Sequence, residues 1–342
     1  MNETKTFDGA EFDNSKIMSI LLPIFDATSL TTFILTIFLI LAIQTQTPKS
    51  MKGFKTFLLP YSCYTLALEI LLGSYCPAVL HPFVYLYPAG LAKSFPPKIS
   101  AAILALAFYS AISTIDCCIA MTLERYFAMK NMNEKPSKMP SIVFGILTTI
   151  NLISIILLLI VTQIRPLSDS FIIPYESIGF HISPWISNLE KYMNINLLII
   201  FSDADKNKLP AILYILVFLA SLRVSAAFIF LFLNVKTSKN LKQKISTKLQ
   251  KHNEMLLRMT YIQLGGFVIL IGIPLLGILY VCIFIKEPNF IPTLGFIVMN
   301  FFGLYDTLAT AICIKPYRIF FIKIFKNRFK HKMGTGIHTQ IL

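Results

Sequence analysis

Charge is scarce in this sequence: 14% of its 342 residues are Asp, Glu, Lys or Arg, where soluble domains carry about 25%. Hydrophobic residues make up 55%, more than a water-surrounded fold of this length hides, which leaves a lipid bilayer as the natural solvent. Tryptophan occurs once, as Trp185. There is no CxxC pair, and the six cysteines (Cys63, Cys76, Cys117, Cys118, Cys282 and Cys313) all lie in or beside apolar runs. That placement argues against a disulfide framework or a zinc site and leaves most of them as small packing residues. All five histidines (His81, His181, His252, His331 and His338) fall outside the apolar runs. A zinc-dependent hydrolase of the membrane needs His and Asp clustered within it, so no enzyme, metal or other cofactor is expected. The net charge of +14 does not indicate nucleic acid, because the basic residues sit between apolar runs, where membrane proteins place them on one face. No polar stretch is long enough to enclose a second core.

What the sequence has in quantity is apolar run. A bilayer core of roughly 30 Å needs about 20 apolar residues in a helix. Seven such runs occur, at 18–43, 56–80, 99–123, 141–163, 210–234, 259–285 and 291–314. The fourth is the clearest, since Ser141 to Gln163 carries no charge. Asn194 to Phe201 is apolar but too short to cross. The expected fold is therefore all-α: an outer N-terminus over 1–17, a seven-helix transmembrane bundle over 18–314, and an inner amphipathic helix and tail over 315–342. The first seventeen residues hold four acids and two lysines, which is wrong for a cleavable signal and suits a signal anchor.

Orientation follows from Lys and Arg. The connections near 44–55, 124–140 and 235–258, with the tail from 315, hold 21 of them, against 9 on the other side. The richer side is cytoplasmic, so the N-terminus is expected outside. The Asn2-Glu3-Thr4 sequon then falls outside as well, and Asn2 is a weak glycosylation candidate.

Asp26, Glu69, Asp116, Asp306 and Arg223 lie within spans. Each costs roughly 2.5–3.5 kcal/mol if charged and unpaired at a helix centre, so each is expected to face the bundle interior and find a partner. At 1.5 Å per residue, Arg223 lies about 20 Å and Asp116 about 25 Å from the outer ends of their helices. An Arg223–Asp116 pair between the third and fifth helices is expected. Glu69 and Asp306 are candidates for a polar interior core.

At the inner end of the third span stands Glu124-Arg125-Tyr126, which resembles the acid-Arg-Tyr triplet of rhodopsin-like receptors. An Arg there pairs with its neighbouring acid at rest and swings toward a G protein when the sixth helix moves away. Glu254, near the start of the sixth span, is a candidate second partner. Lysines 236, 239, 242, 244, 248 and 251 make the third inner connection basic, suited to acidic lipid or a G protein. Pro274 is expected to kink the sixth helix. After the seventh span, Lys315-Pro316-Tyr317-Arg318 leads into alternating apolar and basic residues, which read as an amphipathic helix on the inner leaflet, with Phe320, Phe321, Ile324 and Phe325 dipping into lipid.

Together these segments resemble the nematode serpentine chemoreceptors, in particular classes H and I, over roughly residues 40–325. The markers are Thr47-Pro48-Lys49-Ser50-Met51-Lys52 with Phe54-Lys55, then Tyr87-Pro88-Ala89-Gly90, Glu124-Arg125-Tyr126, Leu256-Leu257-Arg258-Met259-Thr260-Tyr261-Ile262-Gln263 and Pro316-Tyr317-Arg318. The resemblance implies a plasma-membrane receptor of chemosensory neurons, often ciliary, that detects a small molecule and couples to a heterotrimeric G protein, with membrane lipids as its surroundings. Glu124, Arg125, Tyr126, Glu254, Pro316, Tyr317 and Arg318 would then form the coupling face. The chain departs from the wider rhodopsin-like pattern: residues 164–209 hold no Cys for the usual disulfide, the seventh span lacks Asn-Pro-x-x-Tyr, and the sixth lacks Trp. Ligand is expected in the outer half between helices, with Phe108, Tyr109, Tyr214 and Tyr280 as candidate contacts. A transporter or ligand-gated channel is the alternative; internal repeats would favour it, and none occurs.

Overall fold

The structure, a computed structural model, describes residues 15–48, 51–80, 85–130, 137–164, 211–240, 247–284 and 291–324. Seven helices among these are long and apolar enough to cross a membrane. Five crossings are single helices: α1 (Ser15–Gln46), α2 (Lys52–Tyr75), α3 (Pro97–Lys130), α4 (Met139–Ile164) and α5 (Ala211–Asn240). The sixth joins α6 (Thr247–Phe267) to α7 (Ile273–Phe284) through a π-helical turn at Val268–Gly272. Pro274 lies one residue into α7. Lacking an N–H, it cannot bond back into the preceding turn, and the wider π turn takes up the irregularity. The seventh crossing is α8 (Ile291–Asn300) and α9 (Phe302–Cys313), separated by a break at Phe301. Residues 315–324 form a further helix.

The distribution of polarity is that of a protein dissolved in lipid. Ile142, Ile146, Ile150, Ile153 and Ile156 stand exposed along α4, and Phe218, Leu222, Ile229 and Phe232 along α5. Buried instead are Thr32, Thr36, Thr65, Glu69, Ser113, Asp116, Gln263, Asn300, Asp306 and Thr310. Hydrocarbon cannot hydrogen-bond a polar group, so polar side chains turn inward, where most of these find partners, the Thr32 and Ser113 hydroxyls excepted. The central helix is α3, which packs on α2, α4, α5 and α6.

The second crossing is shorter than its apolar run suggests. It ends at Tyr75, where Cys76 takes a left-handed conformation (φ 43) and donates its N–H to Leu72 O. Residues 77–80, read from sequence as the end of the span, form β1 (Pro77–Leu80), which pairs antiparallel with β2 (Tyr85–Pro88), Pro77 facing Pro88. The apolar Pro-Ala-Val-Leu run continues the helix in composition only. Ala89 and Gly90 return their N–H groups to Cys76 O and Tyr75 O. A 3₁₀ turn at Leu91–Ser94 then leads into α3, fastened by a 2.6 Å bond from Ser100 Oγ to Ala92 O.

Candidate functional site

Two polar sites and one closed helix end are built inside this bundle. The first site lies where α3, α4 and α5 meet. Arg223 Nε on α5 stands 3.2 Å from Asp116 Oδ1 on α3. Asn151 on α4 completes a ring: its amide donates to Asp116 Oδ2, and its carbonyl accepts from Arg223 Nη2 at 2.8 Å. All three are at least nine-tenths buried. The carboxylate and guanidinium thus leave the lipid together, and Asn151 supplies both a donor and an acceptor that neither charge provides. Sequence reasoning missed Asn151. Its signal was available: a side-chain amide in the middle of a charge-free apolar run needs a partner.

The second site joins α1, α2, α6 and the seventh crossing. The Tyr61 hydroxyl donates to Asp306 Oδ1 at 2.6 Å, and Gln263 donates to Thr310 Oγ1 at 3.0 Å. Glu69 Oε1 accepts the Gly303 N–H at 2.8 Å. The break at Phe301 makes this bond available, because the first N–H groups of α9 have no acceptor within their own helix. An acid also suits the positive end of a helix. Gly303 is required by the approach, since a Cβ there would overlap the Glu69 carboxyl. Asn300 bonds Phe25 O and Ser29 Oγ, and Thr36 bonds Thr307, so α1 is tied to the same wall.

The closed helix end is the last two turns of α3. Arg125 Nη2 pairs with Glu124 Oε2 at 2.8 Å, and Arg125 Cζ lies 5.1 Å from the centroid of the Phe54 ring on α2. Arg125 is 7% exposed. Neighbouring helices hold the same stretch of α3: Asn234 on α5 donates to Thr122 O at 2.7 Å, and Asn253 on α6 donates to Met129 Sδ at 3.0 Å. Tyr126 stacks edge-on against Phe127, with Lys130 Nζ 5.8 Å from its ring centroid. Glu254 is exposed on α6. Tyr317 is fully buried, its hydroxyl 2.8 Å from Thr47 Oγ1, while Pro316 is half-buried and Arg318 exposed. Burial raises the Tyr317 phenol above its usual range, and the Thr47 bond lowers it less.

The chain's sequence also matches one protein family along most of its length: serpentine type 7TM GPCR chemoreceptor Srh, over residues 13–327. The chain belongs to the Srh chemoreceptor family. It is a multi-pass membrane protein with seven crossings, a serpentine chemoreceptor. Of the two classes that the sequence resembles, the match names the Srh one. No curated protein matches the chain.

The remaining residues singled out from the sequence fall in different places in this Srh receptor. Asp26, expected to face the interior, is exposed on α1. Asp26 falls on the outward stripe of α1 with Leu30, Phe33 and Ile37 at helical spacing, so the helix turns it away from the bundle. Tyr280, expected to contact ligand, is 60% exposed. It belongs to an outward stripe with Ile273, Leu276 and Phe284 at helical spacing, the face a helix turns to lipid. Phe108 packs half-buried on the core, and Tyr109 meets Tyr64 of α2 edge-on at 5.9 Å. Tyr214 lies on α5, with its side chain outside the described residues. Asn2, Trp185, residues 194–201, the connection 241–246 and Phe325 onward also lie outside them. Cys63, Cys76, Cys117, Cys118 and Cys313 are free thiols.

Proposed function

We propose that this receptor signals through a heterotrimeric G protein, with Arg125 as the group that changes partner. The observation that supports it is a guanidinium closed at the end of the third crossing, paired with its own neighbour Glu124. An ion pair at a helix end with a buried guanidinium and a half-buried acid is a poor source of stability and a good switch, because its two arrangements differ by contacts that a bound partner can replace. Asn234 and Asn253 attach α5 and α6 to the same two turns of α3. Movement of either helix would therefore be felt at Arg125.

The asymmetry of Lys and Arg supports an orientation with the N-terminus outside and Arg125 on the cytoplasmic side. The plasma membrane, often of sensory cilia, is the compartment proposed. A small-molecule ligand would enter the outer half between helices, where Phe108 and Tyr109 remain the candidate contacts on α3. The hairpin of β1 and β2 packs beside α8 at that end and would border the entrance.

The test is a second-messenger assay on cells expressing the full chain, screened with volatile and water-soluble small molecules. Arg125→Ala is expected to reach the surface at native levels and to give no response. A full response from that variant would remove Arg125 from the mechanism.

A further inference from the structure

We infer that the first turn of α2 is the seat that holds Arg125 closed, with Phe54 as the positioning residue; this regulation rests on the coupling role proposed for Arg125. Two independent observations carry it. The Phe54 ring lies 5.1 Å from the guanidinium carbon and is itself fully buried. A cation over an aromatic face is attracted by the ring quadrupole, most strongly where water is excluded. Beside it, Gly53 leaves the space that Glu124 occupies: a Cβ at this position would overlap the Glu124 carboxyl. Consecutive residues of α2 thus receive the two members of the ion pair, Gly53 the acid and Phe54 the base.

The seat is fixed from behind. Met51 is fully buried at the start of α2, and its N–H bonds Pro48 O at 2.9 Å. Lys55 Nζ reaches back to Gln44 O at 2.8 Å, at the end of α1. The guanidinium Nε makes no hydrogen bond, so Arg125 is held on one edge by Glu124 and across its face by the ring. Opening therefore requires Arg125 to leave Phe54, and a side chain without a ring lowers that barrier to the open population.

The experiment labels arginine with phenylglyoxal in membranes containing the full chain, and reads modification at Arg125 against exposed Arg318 by peptide mass spectrometry. Phe54→Leu is expected to raise the Arg125 rate about 2–10-fold, as loss of one cation–π contact shifts the closed–open equilibrium. Phe54→Tyr keeps the ring and should stay at the native rate. Phe54→Met keeps volume without a ring and replaces the leucine variant if that one is poorly made. Gly53→Ala displaces Glu124 and should also raise labelling. Equal rates for the native, Phe54→Leu and Phe54→Met proteins would overturn the seat, as would a rise with Phe54→Tyr equal to that with leucine. Failure of the coupling role shows differently: Arg125→Ala would signal fully while Phe54→Leu still raised labelling.

Discussion

Arg223 on α5 and Asp116 on α3 stand 3.2 Å apart where α3, α4 and α5 meet, and Asn151 on α4 bonds both. Three crossings are thereby tied at one level by charge rather than by shape.

Removing one partner leaves the other as an unpaired buried charge. Arg223→Ala and Asp116→Ala are each expected to destabilise the folded receptor by about 3–5 kcal/mol, and the double variant by clearly less than the sum. Thermal unfolding in detergent, read as a double-mutant cycle, measures the coupling. Additive losses would mean that the two charges do not depend on each other.

Tyr61→Phe deletes the 2.6 Å bond to Asp306 while keeping the ring. The expected cost is about 1–3 kcal/mol, because a buried carboxyl loses its donor. Asp306→Asn still accepts from Tyr61 and should cost less. The ranking is read from melting temperatures of the purified variants, and a milder Tyr61→Phe would reverse the assignment.

Gly303→Ala places a methyl against the Glu69 carboxyl that caps α9. A loss of about 1–3 kcal/mol is expected from overpacking. Combining it with Glu69→Ala should recover part of that loss, since the smaller side chain vacates the space. If the double variant is as unstable as the sum of the singles, the close approach is not the cause.

Burial, and then the charge of Asp26, push the Cys76 thiol up to about 12 from an ordinary 9.0. It is therefore protonated across the neutral range and 2% exposed, and only a thiolate attacks maleimide readily. The native receptor is expected to show no maleimide at Cys76 at pH 7.5, with labelling appearing after denaturation. Mass spectrometry of that peptide decides; labelling of the folded protein would place the α2 cap in the open.

The seven crossings were legible because a bilayer imposes a length on apolar runs that few other constraints imitate. Helix ends were less legible. α3 continues through Lys130 and α6 begins at Thr247, since a helix keeps bonding its backbone after its side chains turn polar. The β1–β2 hairpin was hidden by composition, as Pro77 to Leu80 is as apolar as the helix before it. The turn depends on a left-handed cysteine, Cys76, and nothing in the sequence marks that conformation as glycine would. The proximity of Arg223 and Asp116 could be foreseen from the cost of a lone charge in lipid. Asn151 carried a weaker form of the same signal, since a buried amide also costs energy without a partner, whereas the amphipathic Tyr61 and the apolar Phe54 carry little or none and only packing reveals their roles. Asp26 and Tyr280 mislead for a different reason: sequence gives depth along a helix, and the face depends on neighbours.

The most direct test of the receptor reading is the placement of the two chain ends in intact cells. With seven crossings and the basic connections inside, a tag before residue 1 should bind antibody on unpermeabilised cells, and a tag after residue 342 only once the membrane is opened. Both tags reached from the same side would mean an even number of crossings, and the receptor mechanism could not stand.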